Sequence, residues 1–264
     1  MQLVRTLYVV VVCAALARSQ SPATLPSKTK LFEINQVGNS IHLTVTGARP
    51  LVAALDILQN KYGWSLNYED PQYIAKADLI ESTDARYANT VSGTRTRVPN
   101  GGTFTVDFPA GDASGPDEEK TLKILIDAYN KTSNPGQFEL RMQGQRFDFV
   151  GIAARDDSDK MKKQPPPLDA VVALSPQESP AIDAVRSVCE QISKLTSLNV
   201  SVGVYPQSVF NRPLKIVALE KLPARDALYR IFATALPGKE KNISWRLLFD
   251  PDSQSYVINL HLRK

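Results

Sequence analysis

The feature that most restricts the fold of this chain is a short motif that occurs three times. In each copy a proline is followed, four and five residues later, by alanine and a branched apolar residue: Pro50-Ala54-Leu55, Pro180-Ala184-Val185 and Pro223-Ala227-Leu228. Proline is favoured at the first position of a helix, and alanine lets a helix approach a packed neighbour closely. The motif therefore predicts three helices that begin at these prolines and pack on sheets.

Strand patterns precede and follow these helices in both halves of the chain. Apolar and polar residues alternate at 41–46 and 104–108, which predicts half-buried strands. A fourth helix, with apolar residues on one face, is predicted after residue 116, and a hairpin is predicted to end each half, around Gly144 and around 250–254. Ser179 is predicted to cap the helix at Pro180.

The repeated unit is one helix that connects two strands, and each half contains two such units. The predicted fold class is therefore α+β, with two small β-α-β-β-α-β domains, each a mixed sheet with two helices on one face. The domains are predicted at 31–155 and 168–264, joined by a charged and proline-rich linker at 156–167. The first domain contains a long insertion at about 70–102.

The N-terminus has the features of an export signal. A basic start at Arg5 precedes an apolar run, and the small residues Ala17 and Ser19 follow it. We predict a signal peptide at 1–19, cleaved after Ser19 or else after Ala17, and a flexible leader at 20–30. A membrane anchor is the alternative, but the run is about a dozen residues and a bilayer span takes about 20. The chain is expected to be periplasmic or secreted, with no transmembrane segment after signal removal.

The charge of the chain excludes one class of partner. The sequence has 31 basic and 27 acidic residues, and the predicted signal contains two of the basic ones. The rest of the chain thus has a net charge near +2. That charge does not provide the concentrated basic face that nucleic-acid binding needs, so no nucleic-acid partner is expected.

Part of the chain resembles a known family. The stretch VTGARPLVAALDIL at 45–58, followed by YGWSLNY at 62–68, resembles the secretin and TonB short N-terminal domain. The pattern of that family is a strand, a helix start of the form x-Pro-Leu-x-x-Ala-Leu, and a glycine followed by a strand that ends near an aromatic residue. The resemblance covers about 45–70, and a looser copy covers about 214–250. It implies a periplasmic or outer-membrane-associated interaction module, which stacks in rings in secretins or docks signalling partners in TonB-dependent receptors.

Histidine and cysteine, which carry much catalytic and metal chemistry, are scarce. His42 and His261 lie on predicted strands between apolar neighbours, which places both on solvent-facing sides. Cys189 falls on the apolar face of a predicted helix and is expected to be a buried, inert thiol. These residues do not form a zinc site of recognised spacing, and no G-x-S-x-G motif nominates a serine nucleophile.

The acidic clusters have structural interpretations. Asp250-x-Asp252-x-Gln254 begins like a calcium loop but lacks the glycine and the final glutamate of that loop, so a hairpin turn is predicted. Asp117-Glu118-Glu119 falls in the first turn of a predicted helix, where the helix dipole favours negative charge. Asp156-Asp157-Ser158-Asp159 is predicted to begin the solvated linker.

The insertion contains a loop that suggests two interpretations. Gly93, Gly101 and Gly102 lie near Arg95 and Arg97, without a nucleotide-binding glycine motif. The two arginines either contact an anionic partner or belong to an ordinary loop. Three N-x-[ST] triplets, at Asn130, Asn199 and Asn242, matter only in a eukaryotic secretory route.

No catalytic, cofactor-binding or metal-binding residue is predicted. The leading hypothesis is an exported, non-enzymatic protein-interaction or assembly module of the cell envelope, in which sheet edges or an exposed sheet face, rather than a cleft, contact a protein partner or a second copy. The rival hypothesis is a cell-wall glycan binder or envelope hydrolase with its site in the 70–102 loop, because long loops on rigid scaffolds often carry function. In a third hypothesis, one half is functional and the other is a spacer.

Overall fold

The N-terminal half begins with an antiparallel ladder and ends in a long hairpin. The computed structural model describes residues 32–83 and 95–263. Strands of this half are β1 (Phe32–Val37), β2 (Ser40–Thr46), β3 (Leu66–Glu69), β4 (Leu79–Thr83), β5 (Arg95–Pro99), β6 (Thr103–Pro109), β7 (Gln137–Gln143), β8 (Arg146–Arg155) and β9 (Met161–Lys163). Its helices are α1 (Pro50–Tyr62) and α2 (Glu118–Tyr129), and a short 3-10 helix covers Lys76–Asp78.

The C-terminal half repeats this order of elements. Its strands are β10 (Val171–Leu174), β11 (Gln177–Pro180), β12 (Asn199–Val202), β13 (Pro213–Ile216), β14 (Leu219–Pro223), β15 (Ile243–Asp250) and β16 (Ser255–Leu262). Its helices are α3 (Ala181–Thr196), α4 (Gln207–Phe210) and α5 (Ala224–Ala235), with short 3-10 helices at Pro167–Asp169 and Glu240–Asn242. The three helices predicted from the proline motif, the helix after residue 116 and both hairpins are confirmed. α1 begins at its proline, whereas α3 and α5 begin one residue after theirs.

Local sequence explains where α1 begins and ends. Pro50 occupies its first turn, and Gly63 closes it with a φ of 73° while donating its N–H to the carbonyl of Gln59. Glycine adopts this left-handed conformation without strain, which makes it a favourable helix terminator. Leu51 and Leu55 face the core, as the apolar spacing predicts.

One mixed sheet runs through both halves. Its strand order is β12-β16-β15-β3-β8-β7, and β9 adds to the end of β8. Within each half, the strand after the first helix is parallel to the second strand of the terminal hairpin, and the two hairpin strands are antiparallel. The halves join where β15 pairs in parallel with β3, with Arg246 opposite Tyr68 and Leu247 opposite Glu69. Each half therefore contributes the same three strands in the same order, joined head to tail.

The two hydrophobic cores lie on opposite faces of this sheet. Residues in register on neighbouring strands point to the same face, and neighbours along a strand alternate between faces. Tyr68 belongs to the N-terminal core and lies opposite Arg246, whereas Trp245 and Leu247, on either side of Arg246, belong to the C-terminal core. Each core is thus a separate layer on its own side of the shared sheet.

The helices contact smaller sheets as well as the shared one. The N-terminal half has an antiparallel sheet of order β1-β2-β6, and the C-terminal half has the ladders β10-β14 and β11-β13. α1 contacts both β2 and β3, and α3 contacts both β10 and β12. The α+β class is therefore observed, but two separate β-α-β-β-α-β domains, each one sheet with two helices on one face, are not confirmed. The periodicity of a single strand or helix does not show which strands it will pair with, so it could not predict that each half contains more than one sheet.

The segment predicted as a linker contributes to the shared sheet. Met161–Lys163 forms β9, which pairs with Ala153–Arg155 of β8, and Gln164 is hydrogen-bonded to Gln72. The described residues of both halves belong to one compact unit. The charge and proline content of 156–167 predicted an extended connector. Residues 161–163 are extended, but they pair with β8 as a strand.

Smaller corrections concern helix capping and short elements. α3 begins after Pro180 without a side-chain cap, because Ser179 belongs to β11 and its hydroxyl contacts the Pro180 carbonyl. β1 and α4 follow no pattern recognised in the sequence. The strand predicted at 213–219 is two strands, β13 and β14, which pair with different partners.

Candidate binding groove between the two halves

The joint between the halves is held by buried polar contacts, and Asp70 lies at its centre. Its carboxylate is fully buried and accepts hydrogen bonds from Arg49 Nε at 2.7 Å and from the Phe249 N–H at 2.9 Å. The Tyr68 and Tyr73 hydroxyls donate to its other oxygen at 2.6 and 2.9 Å. Burial, and next the charge of Asp70, raise the pKa of both tyrosines well above the usual value, so both phenols stay protonated and donate.

A groove of about 960 Å³ lies where the two halves meet. The end of α1 and the residues after it form one side, and Glu118 at the start of α2 lies nearby. Gln145 comes from the turn between β7 and β8, and the segments 241–242 and 261–263 come from the C-terminal half. Neither half alone supplies all of this lining, so the groove depends on the joint.

Three polar atoms in the groove lining are buried without a hydrogen-bond partner among the described residues. They are Gln59 Oε1, Tyr62 Oη and Arg263 Nε. Gln59 is only 8% exposed, and its amide nitrogen donates to Ser244 Oγ at 3.1 Å. The Arg263 guanidinium is held by the Trp64 carbonyl at 2.6 Å. Buried polar groups normally have partners, so these three atoms are exceptions within the described residues.

Burial sets the protonation of the groove. It raises the pKa of Glu118 to about 7; the Arg263 charge opposes this rise and Asp117 supports it. Burial also lowers the pKa of His261, which the Arg246 charge lowers further while Asp56 opposes the change. Near neutral pH the groove therefore contains a neutral imidazole and a carboxyl group close to its midpoint.

We expect the Glu118 carboxyl to titrate near pH 7 in carboxyl-carbon NMR. An acid whose pKa is raised by folding stabilises the folded state fully below its ordinary pKa, and this contribution is lost as pH rises through 7. Glu118→Gln should therefore remove a loss of thermal stability that the parent shows between about pH 4.5 and 7. Glu119→Gln, on the exposed side of the same turn, is the control and should retain that loss. An unchanged pH profile in Glu118→Gln would contradict the assignment.

The structure places the sequence-predicted residues in different surroundings. His42 is on a solvent-facing side as predicted, with Nδ1 2.7 Å from Asp107 Oδ1, and it does not line the groove. His261 also faces solvent, but in the groove. Cys189 is buried as predicted, and burial raises the pKa of its thiol to about 12. The two histidines and Cys189 are thus not brought together.

The acidic clusters adopt the predicted local structures. Residues 251–254 form the turn between β15 and β16, and Glu118 lies in the first turn of α2, after the N-cap Asp117. Arg97 Nε contacts Asp252 Oδ1 at 2.6 Å, which brings the insertion to this turn. The sequence predicted that Asp156 begins a solvated linker. In the structure Asp156 lies in a turn, where its side chain accepts hydrogen bonds from the N–H and the hydroxyl of Ser158. Gly93 lies outside the described residues.

Most of the groove residues follow no sequence pattern that indicates a binding site. Glu118 was explained by the helix dipole, and Arg263 is an ordinary basic residue at the end of a strand. The ring centroids of Tyr62 and Trp64 are 4.9 Å apart. The sequence places Tyr62 on the apolar face of a helix and Trp64 on a strand, and neither pattern indicates a binding site. The groove residues of the two halves come together because β3 pairs in parallel with β15, and no local pattern predicts that pairing.

A second, smaller hollow of about 280 Å³ lies beside β7. Its three arginines are all paired with acids: Arg141 with Asp169 at 2.5 Å, Arg146 with Asp226 at 2.9 Å, and Arg225 with Glu69. Because acids neutralise all three cations, although Arg146 Nε and Arg225 Nε have no hydrogen-bond partner among the described residues, this hollow is an internal ionic network and the larger groove is the better candidate site.

Comparisons with known proteins do not extend this description. No protein-family model matches the chain, and no curated protein or solved structure matches it. Within residues 32–83 and 95–263, no three His, Cys, Asp or Glu side chains are arranged to hold a metal ion. No helix in the described part of the chain is long and apolar enough to cross a membrane.

Proposed function

We propose that this chain is an exported protein-interaction module of the cell envelope, which holds a segment of another protein in the groove between its halves. The observation that carries the proposal is the groove itself, whose lining comes from both halves and includes amide side chains that both donate and accept hydrogen bonds, such as Asn60, Gln145 and Asn242. A polypeptide backbone presents a donor and an acceptor at every residue other than proline, and so matches a lining that offers both. The export signal predicted from residues 1–19 supports the compartment.

The charge of the lining supports a polar or mixed-charge segment as the ligand. Arg263 and Lys241 are cationic, while Asp56 and Glu118 carry carboxyl groups. Opposite charges in one groove fix the orientation of a bound segment more than they add affinity. The resemblance of 45–70 to the secretin and TonB short N-terminal domain also favours an interaction module, and it remains a proposal.

Site-specific photo-crosslinking tests the proposal in the cells of origin. A benzophenone side chain at Asn60, an exposed residue in the lining, is expected to form covalent adducts with protein. The matched control is the same group at Asn39, an exposed turn residue outside the groove. Mass spectrometry should identify one recurrent partner peptide at position 60 that is absent at position 39.

Other outcomes would contradict the proposal. Equal adducts at both positions would indicate non-specific contact. Adducts that disappear after glycan digestion, but resist protease, would favour the glycan-binding hypothesis. Deleting residues 84–94 tests the rival site in the 70–102 loop: that hypothesis requires loss of glycan binding or turnover with retained folding, whereas the proposed function requires the adducts at position 60 to persist.

A further inference from the structure

The head-to-tail order of the shared sheet gives its two ends complementary strands. Inside the chain, the first hairpin strand of the C-terminal half, β15, pairs with the strand after the first helix of the N-terminal half, β3. The corresponding strands β7 and β12 are the two ends of the sheet in the described structure. A joint between unlike surfaces leaves one surface of each kind free at the ends of every pair of copies, so it can repeat from copy to copy.

The end strand β7 matches β15 residue by residue. Counted from the hairpin turns, Phe138, Leu140 and Met142 correspond to Trp245, Leu247 and Phe249. The N–H and the carbonyl of Phe138 both bond to the Asn130 side chain. Its backbone polar groups therefore point away from β8, towards the free edge of the sheet. By strand alternation, Leu140 and Met142 also face outward.

The end strand β12 matches β3 in the same way. Val200 pairs with Tyr256 as Leu66 pairs with Phe147, so Val202 corresponds to Tyr68. Val204 corresponds to Asp70 by count only, because its N–H donates to Asn259 Oδ1 and its carbonyl accepts from the Leu260 N–H of the same copy. In the joint inside the chain these positions are buried, whereas Val204 is 70% exposed and Met142 on β7 is 44% exposed. Exposed apolar side chains therefore occupy the places that a joint would bury.

Charge complementarity connects the two ends. In the joint inside the chain, Arg246 of β15 contacts Asp56 of α1 at 2.6 Å. The residue at the place of Arg246 in β7 is Glu139. Arg186 lies six positions after the proline before α3, as Asp56 does in α1, but α3 is longer, so Arg186 is about one helical turn farther from its strand than Asp56 is. The ends thus carry the same pair of charges with the signs exchanged, on side chains that now contact only Arg141 and Asp183 of their own strand and helix.

We propose that β7 of one copy pairs in parallel with β12 of a second copy, so that copies continue the shared sheet head to tail. Glu139 then meets Arg186 of the neighbouring copy, in the way that Arg246 meets Asp56. The ladder is limited to Val202 and Leu140, because Asn130 occupies the backbone of Phe138, Ser193 accepts from the Val200 N–H at 2.9 Å, and the Val204 N–H donates to Asn259. The joint inside the chain is also short, with two residue pairs in register. This surface is separate from the groove.

Sedimentation velocity of residues 20–264, the chain without its proposed signal, tests this assembly. Over about a hundredfold range of concentration, the parent is expected to form a growing series of open oligomers rather than one dimer. Glu139→Arg and Arg186→Glu should each weaken association by at least about tenfold, because like charges then meet. The double variant restores opposite charges and should recover the parent association.

The control is Glu220→Arg, an exposed charge reversal on β14 away from both ends, which should leave association unchanged. Thermal unfolding of each variant at low concentration confirms that the variants are folded. A parent that stays monomeric at every concentration, a single closed dimer, or a double variant no better than the single ones would each overturn the proposal.

Discussion

Asp70→Ala is expected to lower the free energy of unfolding by about 3–5 kcal/mol, the cost of removing one partner from a buried ion pair. The Asp70 carboxylate is fully buried and accepts from Arg49, from the hydroxyls of Tyr68 and Tyr73, and from the N–H of Phe249. The substitution removes the acceptor that these donors share, at a position that is itself fully buried. The Phe249 N–H belongs to β15, so the change also weakens the joint between the halves.

Urea unfolding, followed by far-ultraviolet circular dichroism, measures this effect. The matched control is Asp107→Ala, which removes an exposed carboxylate from its pair with His42. Exposed pairs contribute about 0–1 kcal/mol, so the control should stay within that range. If Asp70→Ala cost no more than Asp107→Ala, the buried network would not hold the joint.

The elements that the sequence predicted well are those with local causes. Pro50 and Gly63 set the ends of α1 through backbone conformation, and the alternation at 41–46 gives β2 its buried face. Both hairpins were also visible, because Gly144 and the 250–254 turn interrupt apolar alternation. Each of these signals acts within a few residues, so a single sequence carries it in full.

The pairing between the halves could not be predicted in the same way. β3 has four residues, all buried, and nothing in its composition distinguishes pairing with β15 from pairing with a strand of its own half. Polar residues at Asn67, Glu69 and Asp70 are all buried and make contacts with the C-terminal half, as when Asn67 accepts from the Trp245 N–H at 3.0 Å. A buried acid is recognisable only when its partner is known, and these partners lie far away in the sequence.

The groove was missed for the same reason. Tyr62, Glu118 and Arg263 each have a sufficient local explanation, and only the joint places them in one lining. The expectation that a surface rather than a cleft does the work came from treating the halves as separate. With one shared sheet, the meeting of the halves creates a concave site as well as two sheet ends.

Arg225→Leu is the second substitution with a large expected effect, a loss of about 3–5 kcal/mol of stability. Arg225 is 4% exposed and contacts Glu69, Asp169 Oδ1 at 2.5 Å and, at 3.6 Å, Asp148 Oδ2. Leucine fills much of the same volume, but it leaves Glu69 buried without its cation. Arg97→Leu, whose side chain is 46% exposed in its pair with Asp252, is the control and should change stability by about 1 kcal/mol or less.

The loss in Arg225→Leu should depend on pH. Burial raises the pKa of Glu69, and Arg225 opposes that rise, so removing Arg225 raises the pKa further. A carboxyl group whose pKa is raised by folding loses its stabilising contribution as pH rises, so the deficit of the variant should be larger at about pH 8 than at about pH 5. Adding Glu69→Gln removes the buried charge and retains an acceptor for the Leu168 N–H, which now donates to Glu69 at 2.9 Å. This double variant should recover about half of the loss or more and show a flatter pH dependence. Equal losses at both pH values, with no recovery in the double variant, would show that volume rather than charge makes Arg225 necessary.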